Sequence, residues 1–470
     1  MSGSEAADRV WDVVVVGAGI AGISAAIRAA QHGLDVLVVD YSPGGTSLQR
    51  GCIAARFIEK AVEVYEEAGI AALFGVFDSE SLRLSIRGLQ ARKRMVLGQV
   101  VRWFMDTVLP SYDIFIVRGR GRLVHPHSVK VGGEIIDARY IVVATGAATE
   151  IPETPGVREA LEKNYAVPLE GVLDLERIVE TSVVYGGGLI AVEVASILAR
   201  LGSSTIIVNP GRRIVPEIPD QEIAVRLEEE LKRRGIKVFN NTRIARVDYS
   251  SKTVRLSNNA RIEASLLVLA TRRKPNTKDL GLEELGVEYD ENGIKTDDRM
   301  RTTSPRVYAA GDVVGSYMYA NAARLEGIVA ANNIAGVEAR IDYRYLPIVG
   351  FTEPEVSSIG VAGDPRNPDY IVGRLPLSVN FYAYSSWKPY GLAKIVAEKK
   401  THIIRGFHMI GVHAAEAANT AAVAIKKEMR LEEAAELAPA HPTISEVFVE
   451  AAHAALGSSI YLPRRPGGAV

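Results

Sequence analysis

Cysteine is almost absent from this 470-residue chain: Cys52 stands alone. A single thiol excludes an intrachain disulfide and fits a reducing compartment, so a cytoplasmic protein is expected. Charge of one sign is lacking too. The formal net charge is −1, which leaves no basic footprint for nucleic acid. No apolar run approaches the roughly 20 residues that a membrane-spanning helix needs, and the first nine residues are small and polar rather than a signal peptide. Hydrophobic and charged fractions of 47% and 24% are ordinary for a soluble protein. At this length two to four domains are expected.

What the chain does contain is a glycine turn between strand and helix, twice. Val10 to Val16 is apolar apart from Asp12 and reads as a buried strand. It runs into Gly17-Ala18-Gly19-Ile20-Ala21-Gly22, a helical stretch to Gln31, and a second apolar strand, Asp35 to Val39, that ends in Asp40. That order is the βαβ dinucleotide fingerprint. Gly17 makes the tight turn, Gly19 lets the backbone approach a pyrophosphate, Gly22 lets the helix pack on the strand, and Asp40 is placed for the ribose hydroxyls. The unit recurs from Thr181 to Val208, with Gly186-Gly187-Gly188 in the turn and Asn209 at the end of the second strand. The spacing is the same in both copies, 17 to 40 and 186 to 209, which argues for two dinucleotide sites in an α/β chain. Asn209 offers no acid to repel a 2′-phosphate, and Arg212 and Arg213 follow it. These features favour NADPH over NADH; packing of Arg213 within its own loop is the alternative.

Cys52 closes the stretch Gly44-Gly45-Thr46-Ser47-Leu48-Gln49-Arg50-Gly51-Cys52, ahead of a helical run from Phe57 to Ala68. A cysteine in a first helical turn meets unpaired N–H groups and the positive end of the helix dipole, both of which favour the thiolate. Arg56, four residues on, adds positive charge on the same face. An inert buried thiol is the other reading of a lone cysteine.

The segment resembles the redox-active stretch of flavoprotein disulfide reductases of the dihydrolipoamide dehydrogenase, glutathione reductase and mercuric reductase type. There it reads Gly-Gly-Thr-Cys, four residues, then Cys-(Ile/Val)-Pro-Ser-Lys. The resemblance sets Ser47 where the first redox cysteine belongs, Cys52 at the second, and Ala54, Ala55 and Arg56 in place of Pro-Ser-Lys. It covers Val10 to Ala455 and implies FAD on the first βαβ unit and NADP(H) or NAD(H) on the second.

Further FAD contacts implied in this way are Gly45 and Thr46, Thr145 and Gly146 after the strand from Tyr140, Gly311 and Asp312 after the strand from Val307, and Ala320 at a helix start. Asp312 would bond the flavin's ribityl chain. Arg56 stands for the family's lysine beside the flavin, and Glu193 for its ion-pair partner. His441 and Glu446 match the active-site base and its carboxylate partner; Thr443-x-x-Glu446 also reads as a helix capping box, and both roles are compatible. Arg272 replaces a family glycine ahead of Arg273-Lys274-Pro275-Asn276, and it either alters the nicotinamide pocket or has no effect there.

The implied fold is α/β, with two dinucleotide-binding (Rossmann-like) domains and a C-terminal α+β dimerisation domain. The expected division is 1–150 with 275–342 for FAD, 151–274 for NAD(P)H and 343–470 for the interface. A homodimer follows, each site completed by His441 of the other chain. With Ser47 in place of a thiol, an internal dithiol shuttle is closed. Three functions remain. The first is an NAD(P)H-dependent flavoprotein oxidoreductase that reduces a small-molecule electron acceptor, with Cys52 as its one redox thiol or by a cysteine-independent reaction. The second is a lipoamide dehydrogenase whose second thiol comes from substrate or partner. The third is a non-catalytic FAD-containing binding protein, which the intact nucleotide motifs, Cys52 and His441 argue against.

Overall fold

The computed structural model describes residues 3–71, 84–364 and 367–463. It divides into two compact units: Met1–Ile151 with Pro168–Arg177 and Arg272–Tyr343, and Pro152–Val167 with Ile178–Thr271 and Arg344–Val470.

The first unit is built on strand β1 (Trp11–Val16), helix α1 (Ile20–Gln31) and strand β2 (Val36–Val39). β1 lies parallel to β2, Val13 opposite Val36 and Val16 opposite Val39. Strands covered on both faces read as continuous apolar runs, as β2 does throughout and β1 does apart from Asp12. Helix α2 spans Cys52–Ile70, starting five residues before the helical run read from the sequence. Strand β3 (Glu134–Val143) serves two purposes. Its first half pairs antiparallel with Ser128–Val131, and its second half lies parallel to β1, Val143 opposite Val16. The strand Val307–Ala309 adds on its far side, parallel, with Val307 opposite Ile141. The C-terminal ends of β1, β3 and Val307–Ala309 therefore open on one edge of the sheet, where ligands of such sheets bind.

The second unit repeats the plan with β4 (Thr181–Tyr185), α3 (Leu189–Arg200) and β5 (Ser204–Val208), followed by α4 (Gln221–Arg233). β4 lies parallel to both β5 and Leu266–Leu269. The same unit carries a five-stranded antiparallel sheet in the order Ile348–Gly350, Val356–Gly360, Ile404–Ile410, β6 (Leu392–Glu398), Tyr370–Pro376. Ala414–Lys426 and α5 (Glu446–Leu456) pack on it through a core that includes Ile395, Phe407, Val447 and Phe448. Among the described residues no helix is long and apolar enough to cross a membrane.

Candidate active site

At the open edge of the first sheet the chain is held too close for side chains. Gly17 has φ +112°, and a Cβ there would lie 2.2 Å from the Ala144 carbonyl oxygen; at Gly22 it would lie 1.8 Å from that of Gly17. Gly45, φ +56°, brings its loop to within 2.7 Å of the Gly19 Cα, measured from a built Cβ. Gly19 is the N-cap of α1. This is a backbone cradle facing a helix N-terminus, and it fits the pyrophosphate of a dinucleotide. Asp40 braces the turn itself: Oδ2 accepts from the Ala18 N–H at 2.5 Å and Oδ1 from the Ser42 N–H at 2.6 Å.

The other predicted FAD residues gather along the same edge. Thr145 Oγ1 donates to the Asn276 carbonyl at 2.9 Å, and the Asn276 N–H donates back to Gly146, also at 2.9 Å. Gly311, at φ +83°, follows Val307–Ala309, and Ala320 is the first residue of the helix Ala320–Ile334. Three residues here escaped the sequence reading. Arg273 pairs with Asp312 at 2.5 Å and also donates to the Ala147 carbonyl at 3.0 Å, so it positions the carboxylate expected to meet the ribityl chain. Glu326 is buried and accepts from the Gly311 N–H at 2.6 Å and the Tyr343 hydroxyl at 2.7 Å. Burial raises the Glu326 carboxyl above the usual range against the pull of those two bonds, and the Tyr343 phenol is raised by burial and by Glu326. Glu326 lies seven residues into an unremarkable alanine-rich helix, and only its polarity at an interior position signals a role. Arg272 turns to other partners, its guanidinium lying 3.4 Å from both Glu150 and Asn292.

Cys52 is exposed and is the first residue of α2, as its sequence context predicts. A Cβ built on the preceding Gly51 would lie 3.4 Å from the Ser47 Cα, so Ser47 does stand beside the cysteine segment. Thr46 is exposed within the short helix Gly45–Gln49. Arg56 pairs with Glu59 at 2.5 Å, one turn further along the same helix.

In the second unit the glycine turn is equally tight: a Cβ at Gly186, φ +145°, would meet the Ala270 carbonyl oxygen at 1.9 Å. Gly188 is the N-cap of α3. Asn209 is buried against Gly187, its Oδ1 accepting from Gly211 at 2.9 Å and its Nδ2 donating to Asn240 at 2.7 Å. Arg212 is exposed. Arg213 instead turns inward, donating to the carbonyls of Ile214, Val215, Pro216 and Ile218 at 3.3, 2.7, 3.3 and 2.9 Å. It packs within its own loop, the alternative left open above. That loop returns to the turn, where the Leu189 N–H meets both carboxylate oxygens of Glu217 at 3.2 Å. Nothing in the sequence marks Glu217, because its partner depends on the loop's path.

Glu193, on α3, accepts from the Phe351 N–H at 2.7 Å. His441 and Glu446 meet as expected: Nδ1 lies 3.0 Å from Glu446 Oε2, and Glu446 Oε1 accepts from the Thr443 N–H at 2.6 Å. Only half of the capping box forms, because α5 begins at Glu446 itself and Thr443 Oγ1 donates to Ala440 at 2.7 Å. The buried carboxylate fixes the imidazole and leaves Nε2 for proton exchange, with the ring 54% exposed.

With this geometry in place, comparison with known proteins is specific. Residues 11–327 match the pyridine nucleotide-disulphide oxidoreductase family, and residues 346–452 match the dimerisation domain of the same family. The chain is 32% identical over 465 residues to a dihydrolipoyl dehydrogenase of Chlamydia trachomatis, covering 97% of this chain and 99% of that one. It is also 32% identical over 461 residues to leghemoglobin reductase of Glycine max, covering 94% and 87%. Among solved structures it resembles the copper complex of the HOCl-induced flavoprotein disulfide reductase RclA of Escherichia coli, with a TM-score of 0.85 at 22% identity over 94% of this chain and 99% of that one, a likeness of fold.

Proposed function

The chain belongs to the pyridine nucleotide-disulphide oxidoreductase family, a family of NAD(P)H-dependent flavoprotein enzymes, and from that premise we propose a one-thiol member of it. When bound, FAD and the pyridine nucleotide supply hydride transfer; Cys52 is the single thiol through which electrons reach a small-molecule acceptor. The observation that carries this reading is Cys52 at the head of α2 beside Ser47, in a chain whose two glycine turns are intact.

The proposed division of labour follows the two units. Residues 1–150 and 275–342 hold FAD, with Gly17, Gly19, Gly22, Gly45 and Thr46 on the pyrophosphate side. Thr145, Gly146, Gly311, Asp312 and Ala320 serve the flavin side, and Asp40 shapes the turn. Residues 151–274 hold the nucleotide at Gly186 and Gly188. Asn209 brings no acid to the ribose, and exposed Arg212 is the cation for a 2′-phosphate, which favours NADPH. Residues 343–470 form the dimer interface and carry His441, which moves protons at the partner's Cys52-bearing site under the control of Glu446. Arg56 and Glu193 serve the flavin–nicotinamide region.

A thiol without an internal partner reacts once and stops unless something resolves it. The enzyme should therefore reduce its flavin with NADPH yet turn over lipoamide poorly, while oxygen, quinones or artificial acceptors take up the electrons. Anaerobic titration with NADPH and NADH, followed by an acceptor panel, tests this. Fast lipoamide turnover, undiminished in Cys52→Ala, would overturn the assignment of Cys52.

A further inference from the structure

The two glycine turns differ in what faces their helices. Among the described residues, no carboxylate is bonded to the first turn of α1. At α3 one is: Glu217 lays both oxygens on the Leu189 N–H at 3.2 Å. A Cβ on Gly188 would lie only 2.8 Å from Glu217 Oε1, so the carboxylate sits directly on the glycine turn. That is the position where a βαβ unit receives a dinucleotide pyrophosphate.

The segment that delivers Glu217 is held there on purpose-built terms. The Val215 N–H donates to the Gly187 carbonyl at 2.7 Å, tying the loop to the turn. Arg213 gathers four carbonyls of the same segment around one guanidinium. Val215 itself adopts φ +45°, a left-handed conformation that a β-branched residue holds only against strain. The Glu217 carboxyl is pushed upward by burial, against the lowering effects of its backbone bonds and of Arg213. Its charge is therefore partly desolvated where it lies.

We propose that Glu217 is an internal pyrophosphate mimic: in the nucleotide-free enzyme its carboxylate occupies the anion position at α3, and a pyridine dinucleotide must displace it to bind. The inference rests on the reading of the second unit as the nucleotide site. Two anions cannot share one helix N-terminus, so the affinity measured for any dinucleotide is the intrinsic affinity reduced by the stability of the seated carboxylate. Because the competition is for the pyrophosphate, it weakens NADH and NADPH alike and leaves the choice between them to Asn209 and Arg212. Glu217 thus sets how much nucleotide is needed, not which one.

Calorimetric titration of the FAD-loaded protein with ADP-ribose, NADH and NADPH tests this, since ADP-ribose carries the pyrophosphate and no hydride. Glu217→Gln, nearly isosteric, and Glu217→Ala, which cannot reach Leu189, are both expected to bind all three about tenfold more tightly (1.4 kcal/mol), with the NADH-to-NADPH ratio unchanged. Inorganic pyrophosphate should compete with ADP-ribose better in the variants than in the wild type. If the wild type binds ADP-ribose and both variants bind it equally or more weakly, the displacement is refuted while the nucleotide site stands. If no form binds any of the three, the reading of the second unit falls and this inference falls with it.

Discussion

Replacing Lys394 with methionine removes a charge from the interior of the second compact unit. The Lys394 side chain is 2% exposed and Asp220, its partner at 2.6 Å, is 1% exposed; Glu222 Oε2 lies 3.0 Å from the same ammonium. Asp220 also caps α4, its Oδ1 accepting from the Ile223 N–H at 3.1 Å. Methionine fills nearly the same volume, so the change is electrostatic rather than a cavity. It strands Asp220 as an unpaired buried charge, and breaking a buried pair in this way costs about 3–5 kcal/mol. Burial would raise the Glu222 carboxyl, but the bonds to Lys394 and Arg374 outweigh it and hold the group below its ordinary 4.5. A lowered folded pKa gives stability that is present above the unfolded value and is lost as pH falls through the folded one. The deficit of Lys394→Met should accordingly be full at pH 7 and narrow below about pH 4, where the carboxylates take up protons. Urea unfolding monitored by circular dichroism at both pH values reads it directly, with Lys394→Met/Asp220→Asn expected to recover most of the loss. A single variant within about 0.5 kcal/mol of wild type at pH 7, the scatter of an ordinary surface change, would refute the reasoning. A deficit that grows on acidification would do so as well.

Gly22→Ala should purify without flavin, because its Cβ would stand 1.8 Å from the Gly17 carbonyl oxygen; full flavin absorbance per protein would contradict the cradle. Glu446→Ala frees the His441 imidazole from its 3.0 Å partner and should slow acceptor turnover that needs proton transfer by roughly 10²-fold. Anaerobic reduction of the flavin by NADPH should stay intact in that variant, and an equal loss in both assays would place His441 elsewhere. Tyr343→Phe withdraws the 2.7 Å hydroxyl from buried Glu326 and should weaken FAD retention by about 1 kcal/mol, seen as faster flavin loss on dialysis; unchanged retention would leave Glu326 a packing residue.

The parts of the site legible in the sequence are those in which a residue type answers to its own backbone. Gly17, Gly22 and Gly186 are readable because only glycine tolerates the contacts they make, and Cys52 because a helix start is locally encoded. His441 and Glu446 are five residues apart and meet within one segment. The rest depends on chain paths that no local pattern specifies. Asp40 stands at the end of its strand as the pattern implies, and its oxygens accept from the backbone of Ala18 and Ser42. Arg213 carries the charge of a phosphate ligand, yet its guanidinium donates to the carbonyls of its own loop. Arg273 and Glu326 act on residues brought beside them by strand pairing, and Glu217 acts across a loop whose return is invisible in one dimension.

The position of Val307–Ala309 against β3 bears on how the protein is made. The sheet that carries the proposed FAD cradle joins residues from 11 to 309, and the whole of the second βαβ unit is translated in between. A nascent chain can close β4, α3 and β5 while the first sheet still lacks an edge, and domains generally fold as they emerge. Gly17 and Asp312 come onto one rim only after that late strand docks. The local glycine cradle of Gly17, Gly22 and Gly45 can thus form early, while the complete rim that joins it to Asp312 forms only late. The sheet gains its last strand when the chain is about two-thirds synthesised, so a ribosome stalled before Val307 presents an open, apolar sheet edge.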